Sequence, residues 1–460
     1  MGFHCLIKPL IMKQNRSLAI STMIQDCQKT NILNLMNDVF PDDTFKSLPK
    51  VSRDRIFNPL NTLLTMVLTA TQEDKSLKNS VALYYGIHQK IGYELQSEFD
   101  SEFSKYKKEL KNTPKVGRPR QKAVSLAKSK GNDISLNTAA YSKARKRLSK
   151  ELTEELFKKS KIKNVNNAYS HWHNRFVLIG DGTYVQMQDT PELRNEYAVK
   201  YNNDEEFKGY PQGLIVALIE RGTGQISNFS FSNRHKSELA LFYDLIDQLP
   251  GGCVLLLDEL YNCYEILAKC LSKNIDVIVP SKRKRNYSVL KKISESDEII
   301  EISAPKSRST WLKEPGKIPN KIKIRQIKCI STDGNEYKLH STIIDEQINE
   351  SEYQLQYLTR WDIEISIREV KTIMDINVLR SKTPEMVLKE LDVTLATYNL
   401  IRKIIFESLE KMPFSPKEDF IQKFYTLNKN ILVDKKGRVY SRWSTGRRRI
   451  KRIDKKRNSS

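Results

Sequence analysis

At 460 residues the chain is long enough for two or three domains, each burying its own core. Its 39% apolar and 29% charged residues exclude disorder throughout, and no apolar run approaches the length of a membrane span. Lys and Arg (78) outnumber Asp and Glu (55) by 23, with an isoelectric point near 9.5, so the expected partner is an anionic polymer; charge by itself selects no reaction.

The first segment, up to about residue 165, reads as mostly helical. Residues 1–12 carry an apolar stretch broken by Lys8 and Pro9, too short and too interrupted for a signal sequence. Leu6 occupies the position where a myristoylation signal needs Ser or Thr. Cys5, Cys27, Cys253, Cys263, Cys270 and Cys329 form no Cys-x-x-Cys pair and read as reduced thiols. A cytoplasmic, nucleoid-associated protein with no membrane partner is expected. Ile56-Phe57-Asn58-Pro59-Leu60 opens a segment whose Leu, Met and Val positions suit a buried helix. Residues 105–130 form a basic stretch with Pro114, Gly117 and Pro119, expected as an exposed linker. Gly117-Arg118-Pro119 resembles an arm for narrow A·T minor grooves, although such tripeptides arise by chance and a solvated linker is favoured. A second helical run, 138–160, carries Arg145, Lys146 and Arg147, candidates for DNA contact weighed evenly against a plain surface helix.

The pattern changes at His171. His171-Trp172-His173 has no other ligand at metal spacing nearby and reads as structural. Phe176-Val177-Leu178-Ile179 predicts a strand ending at Gly180-Asp181-Gly182-Thr183. Residues 213–220 and 225–231 predict two more strands around an Arg221-Gly222-Thr223-Gly224 turn. A helix over 237–249 comes next, stopped by Pro250-Gly251-Gly252. Cys253-Val254-Leu255-Leu256-Leu257 predicts a buried strand ending at Asp258, then a short helix and a fifth strand at 276–279. Alternation such as Lys321-Ile322-Lys323-Ile324-Arg325 marks 282–350 as β-rich, with Lys282 to Arg285 either gripping DNA or forming an exposed turn. Helices are predicted over 351–374 and, with Thr383 as cap and Pro384 at its first position, to about 411. The tail is basic: residues 435–457 hold twelve Lys or Arg against Asp454 alone, a balance of +11.

Three antiparallel strands followed by parallel additions can set the tips of the first and fourth side by side. Asp181 and Asp258 fall at those tips. Either alone is ordinary turn chemistry. A third acid, Glu364, changes that balance. Tyr357, Arg360, Glu364 and Lys371 fall on one side of a single helix at about 3.6 residues per turn. An acid flanked by cations can complete a metal site while the cations hold a phosphate backbone. A solvated salt-bridge face has the same composition.

Tyr357-x₂-Arg360-x₃-Glu364-x₆-Lys371 is similar, in residues and spacing, to the Tyr-Arg-Glu-Lys pattern of bacterial insertion-sequence DDE transposases of the insertion-sequence-four family. Asp181-Gly182-Thr183, Asp189-Thr190-Pro191 and Tyr398-Asn399-Leu400-Ile401-Arg402 resemble its other blocks, as do the segments at 53–60 and 138–145, so the likeness runs from about residue 50 to 410. The resemblance implies an α/β fold with an RNase H-like catalytic core and a β-rich insertion, preceded by a mostly helical DNA-binding region. The expected division is 1–165 helical and DNA-binding, 171–281 first part of the core, 282–350 β-rich insertion, 351–412 the core's C-terminal helices, and 413–460 basic tail. It also implies that Asp181, Asp258 and Glu364 are catalytic metal ligands and that Tyr357, Arg360 and Lys371 contact transposon-end DNA. One departure is Glu259-Leu260-Tyr261, where many relatives follow the second Asp with Arg-Gly and an aromatic: the aromatic persists and the cation, with the DNA contact it implies, does not.

The implied chemistry is phosphoryl transfer with two Mg²⁺, Mn²⁺ substituting. One ion activates a water or a 3′-hydroxyl, and the other, ~4 Å away, stabilises the leaving oxygen. Hard Mg²⁺ suits carboxylates. Expected partners are double-stranded DNA, as transposon ends and as target, and a second copy of the chain on that DNA. Two alternatives stand beside this reading: a non-cleaving DNA-binding protein derived from a transposase, and an RNase H-like nuclease without strand transfer.

Overall fold

Asn58 starts the first helix because its side chain accepts from Asn61 N (2.8 Å) just before Pro59, whose fixed φ suits a first helical position. The computed structural model describes residues 56–72, 74–88, 137–163, 170–198, 209–282, 285–307, 309–312, 316, 318–330, 334–360, 370 and 374–410. The expected linker at 105–130 and the basic tail lie outside them. The chain divides into two units, 1–403 and 404–460, and every strand and all but the last turns of the final helix fall in the first.

Helices α1 (Pro59–Ala70), α2 (Leu77–His88) and α3 (Thr138–Arg147) meet through an aromatic knot. The Phe57 ring lies 4.9 Å from Tyr84 and 5.2 Å from the buried Tyr141. Helix α4 (Lys150–Lys159) turns Leu156 and Phe157 inward, and Phe157 meets Phe229 of the sheet edge-on at 4.9 Å.

The strands are β1 (His171–Trp172), β2 (Arg175–Met187), β3 (Gln212–Glu220), β4 (Ile226–Asn233), β5 (Cys253–Leu256) and β6 (Asp276–Ser281). They continue with β7 (Tyr287–Lys292), β8 (Asp297–Ser303), β9 (Lys321–Ile330), β10 (Glu336–Ser341) and β11 (Val378–Leu379). Among the described residues these eleven form one sheet in the order β4-β3-β2-β5-β6-β10-β9-β8-β7, with β1 and β11 also on β2. β2, β3 and β4 are antiparallel, β5 and β6 run parallel to β2, and the strands beyond β6 alternate. The β-rich stretch therefore extends the same sheet through β10 on β6.

Helices α5 (Pro191–Tyr197), α6 (Glu238–Leu245), α7 (Tyr264–Ser272), α8 (Glu350–Leu358) and α9 (Pro384–Glu410) complete the described elements. Leu241, Phe242 and Leu245 of α6 and Ile266, Leu267 and Cys270 of α7 share one core with Leu178, Val216, Leu255 and Val277 of the strands. The all-apolar β5 fits this burial. Helix α9 docks on the β3–β4 turn. Its Asn399 side chain pairs with both backbone groups of Ile226 (2.8 and 3.0 Å), and Tyr398 Oη donates to Gly224 O (3.2 Å).

Two elements differ from expectation. The strand ending before Asp181 instead runs on to Met187, because Val185 and Met187 are buried and Gln186 is exposed, a period-two alternation hidden by the flanking glycines. The helix expected over 351–374 stops at Leu358. Thr359 Oγ1 donates back to Gln356 O (2.7 Å) and Arg360 N to Tyr357 O (2.9 Å), tightening the last turn.

Asp392 of α9 is buried against α4, where the Thr153 hydroxyl donates to it at 2.7 Å. Burial pushes its carboxyl up to about 6, Thr153 opposing and Glu154 adding. The raised value means the charged form is penalised in the folded state. That penalty is absent below pH about 4, the unfolded value, and full above pH about 6. Asp392→Asn should therefore stabilise by up to about 3 kcal/mol at pH 8, with the gain fading as pH falls from 6 to 4. Urea unfolding of both proteins across that range checks it; a gain independent of pH would contradict it.

Candidate active site

The register of β2 on β5 brings the two aspartates together. The parallel pairing runs from Phe176↔Cys253 to Ile179↔Leu256. Two residues further along each segment stand Asp181 and Asp258, on the same face by the period-two rule and on neighbours roughly 4.8 Å apart. Asp181 lies within β2, opposite Ala217 of β3, whereas Asp258 lies just past β5 and caps a 3₁₀ turn, Glu259–Tyr261. Each carboxylate accepts from the next residue's N–H, Asp181 from Gly182 (2.9 Å) and Asp258 from Glu259 (2.7 Å).

Asp258 is exposed and Asp181 half-buried. Burial pushes the Asp181 carboxyl up to about 6. The Gly182 N–H opposes this, Glu238 and Asp258 add to it, and Arg360 opposes it. Glu238, Asp258 and Arg360 thus all act on the Asp181 carboxyl.

Tyr357 and Arg360 reach this site from the end of α8. The Tyr357 hydroxyl donates to Leu257 O (3.3 Å), the residue before Asp258, and the Arg360 guanidinium lies 5.8 Å from the Tyr357 ring centre. Both residues are 8% exposed. The hydroxyl of Tyr357 is therefore turned into the protein, where it steadies the end of β5. Glu364 and Lys371 lie outside the described residues. Lys146 and Arg147, at the end of α3, are exposed, and Arg145 is half-buried with its guanidinium 5.8 Å from the Tyr141 ring. Lys389 Nζ of α9 donates to Lys146 O (3.3 Å) and tethers this basic turn.

The departure after Asp258 has a local partner: Glu259 pairs with the exposed Lys282 at 3.3 Å. His173, in a left-handed turn (φ 45°), bonds Glu352 (2.8 Å), and Trp172 packs edge-on to Tyr353, consistent with a structural role.

Two further residues stand at the site: Glu238, which carries no motif in the sequence, and Tyr261, the aromatic after Asp258. Glu238, first residue of α6, lies against Gly182, and Tyr261 Oη donates to its Oε1 at 2.6 Å. The signal that could have found Glu238 was Gly182 itself, since a glycine inside a strand often marks a close approach.

The resemblance noted in the sequence implies a divalent metal, and the donor chemistry fits one. Asp181 and Asp258 offer hard oxygens, and the first sits partly dehydrated with carboxylate neighbours, where a cation would supply the missing charge. Among the described residues no three His, Cys, Asp or Glu side chains enclose a metal by themselves.

Residues 172–400 match the family model of the transposase DDE domain. The chain is 26% identical over 290 residues to the transposase InsG for insertion sequence element IS4 of Escherichia coli K12, covering 61% of this chain and 64% of that relative. It is 25% identical over 134 residues to the putative transposase InsZ of the same organism, covering 29% and 45% respectively. The matched region thus spans less than two thirds of each curated relative. A piggyBac transposase synaptic complex with hairpin DNA aligns over 87% of this chain and 80% of its own at 12% identity and a TM-score of 0.41, a likeness too weak to bear on function. Residues 172–400 are thus a transposase DDE domain, and the chain is similar to transposases of insertion sequence element IS4.

Proposed function

We propose that this protein is a DNA transposase that binds the terminal inverted repeats of its own insertion sequence, cleaves at the ends and joins them to target DNA. The observation that carries this is the register of β2 on β5, which sets Asp181 beside Asp258 inside the matched DDE domain. Asp181, Asp258 and Glu364 would hold two Mg²⁺, or Mn²⁺ in their place. When bound, these ions supply the activation of a water or 3′-hydroxyl and the stabilisation of the leaving oxygen.

The chain's own residues do the rest. Arg360 and Lys371 hold phosphate oxygens, and fixing the scissile phosphate in line removes much of the entropic cost of attack. Tyr357 keeps the Asp258 segment in place through Leu257. The helical region 1–165, with Arg145, Lys146 and Arg147, and the tail 413–460 grip the duplex, the core being 171–281 and 351–412 around the insertion 282–350. Two copies on DNA bring two ends together. Among the described residues no helix is long and apolar enough to cross a membrane.

The test is a duplex carrying the element's ends, incubated with purified protein with and without Mg²⁺. Nicking at the ends followed by joining is expected, with binding that weakens steeply as salt rises. Deleting the residues after Lys435 should flatten that salt dependence and spare end preference, since phosphate contacts carry no sequence information. End binding without nicking in either metal would show a non-cleaving DNA-binding protein, and nicking without joining would show a nuclease.

A further inference from the structure

Glu238 touches both aspartate-bearing segments. It opens α6 behind Ser237, whose hydroxyl accepts from Ala240 N (3.2 Å). Its carboxylate packs onto the backbone beside Asp181. A Cβ added at Gly182 would overlap Glu238 Cδ and both of its carboxylate oxygens. From the other side, the fully buried Tyr261 donates to Oε1 at 2.6 Å, and Tyr261 closes the turn that Asp258 caps. The path Asp181–Gly182–Glu238–Tyr261–Asp258 is therefore continuous.

Packing and hydrogen bonding do not require a charge here. A glutamine would accept the same bond from Tyr261 and fill the same space, without the repulsion that a third carboxylate brings. Any residue larger than glycine at 182 would displace the carboxylate. A negative charge held in this place is useful if a cation sits between the aspartates. We propose that Glu238 is an accessory acid of the active site, a positioning residue whose charge strengthens divalent-cation binding and whose contacts hold Asp181 and Asp258 in register. It is assigned a positioning role, since among the described residues no three His, Cys, Asp or Glu side chains are grouped to hold a metal ion. The proposal rests on the transposase reading above.

The test is Mn²⁺ binding by the full-length protein without DNA, read from the free-ion paramagnetic resonance signal, alongside metal-free melting curves. Glu238→Gln should weaken Mn²⁺ binding roughly 10–100-fold, the range for outer groups that orient ligands, while metal-free melting holds or rises. Tyr261→Phe, which keeps the charge but releases it, should give a smaller loss. Should Glu238→Gln fold poorly, Tyr261→Phe decides alone, and unchanged affinity in a folded Tyr261→Phe overturns the proposal. Asp258→Asn separates the two levels. If it abolishes binding while Glu238→Gln leaves it unchanged, Glu238 is merely structural and the transposase site stands. If neither matters, or the unaltered protein binds no Mn²⁺ saturably, the reading of the site falls with the proposal.

Discussion

Asp258→Asn should lower Mg²⁺-dependent cleavage of transposon ends by several orders of magnitude while leaving end binding and the fold intact. Asparagine caps a turn as well as aspartate, so the bond from Glu259 N can persist. What disappears is the charge a hard cation requires. Thermal stability should hold or rise, because one of the acids acting unfavourably on Asp181 is neutralised. This combination distinguishes an active-site residue from a turn-forming one, whose loss would lower stability and spare turnover. Glu364→Gln is expected to behave in the same way. Nicking of an end-containing duplex, measured beside the melting curve of each variant, checks both. Wild-type nicking by Asp258→Asn would remove the proposed site.

Much of the sheet was legible because its strands are written in two readable patterns. The short apolar run Cys253–Leu256, bounded by Pro250-Gly251-Gly252, reads as a strand buried on both faces, and Lys321-Ile322-Lys323-Ile324 alternates as a half-buried strand should. The pattern failed where a functional residue interrupts it. Gly180-Asp181-Gly182 reads locally as a turn, yet β2 runs through it, held on one side by the pairing Asp181↔Ala217. Pairing with a partner over thirty residues away is invisible to a local reading. The same limit applies to α8, whose apolar and charged spacing continues past Leu358 while the Thr359 hydroxyl closes the helix.

For the site, the neighbourhood of the two aspartates was legible in the sequence and the packing around them was not. That Asp181 and Asp258 would lie together followed from strand order, and the register of β2 on β5 puts them there. The surroundings did not follow. Tyr357 sits on a helix face shared with cations, which suggests an outward role, but its burial and its bond to Leu257 O turn it inward. Glu238 stands 57 positions beyond Asp181 with no motif around it, and only the missing side chain at Gly182 records how close the two segments come.

The largest stability effect is expected far along the sheet, at Asp297→Ala. Asp297 of β8 and Arg325 of β9 form a buried, two-pronged ion pair, 3% and 1% exposed, with Arg325 Nε donating to Oδ1 at 2.9 Å and Nη2 to Oδ2. Arg325 also donates to Asp345 O, to Ile348 O (2.9 Å) and to Tyr353 Oη (3.2 Å). Asp345 and Ile348 lead into α8 and Tyr353 lies within it, so the pair ties the strands beyond β6 to the helix that delivers Tyr357 and Arg360. Removing Asp297 leaves a buried guanidinium without its counter-charge, which should cost about 3–5 kcal/mol. Replacing Asp297 and Arg325 together by apolar residues of matching volume should cost much less, because the desolvation of both ions is recovered. Urea unfolding of the single and double variants measures the difference as a double-mutant cycle. Cleavage should also fall in Asp297→Ala even at temperatures where it stays folded, since α8 loses its anchor while the aspartates are untouched. A loss under about 1 kcal/mol, the scale of an exposed pair, would mean that Arg325 finds its charge partner elsewhere and that α8 is held by packing alone.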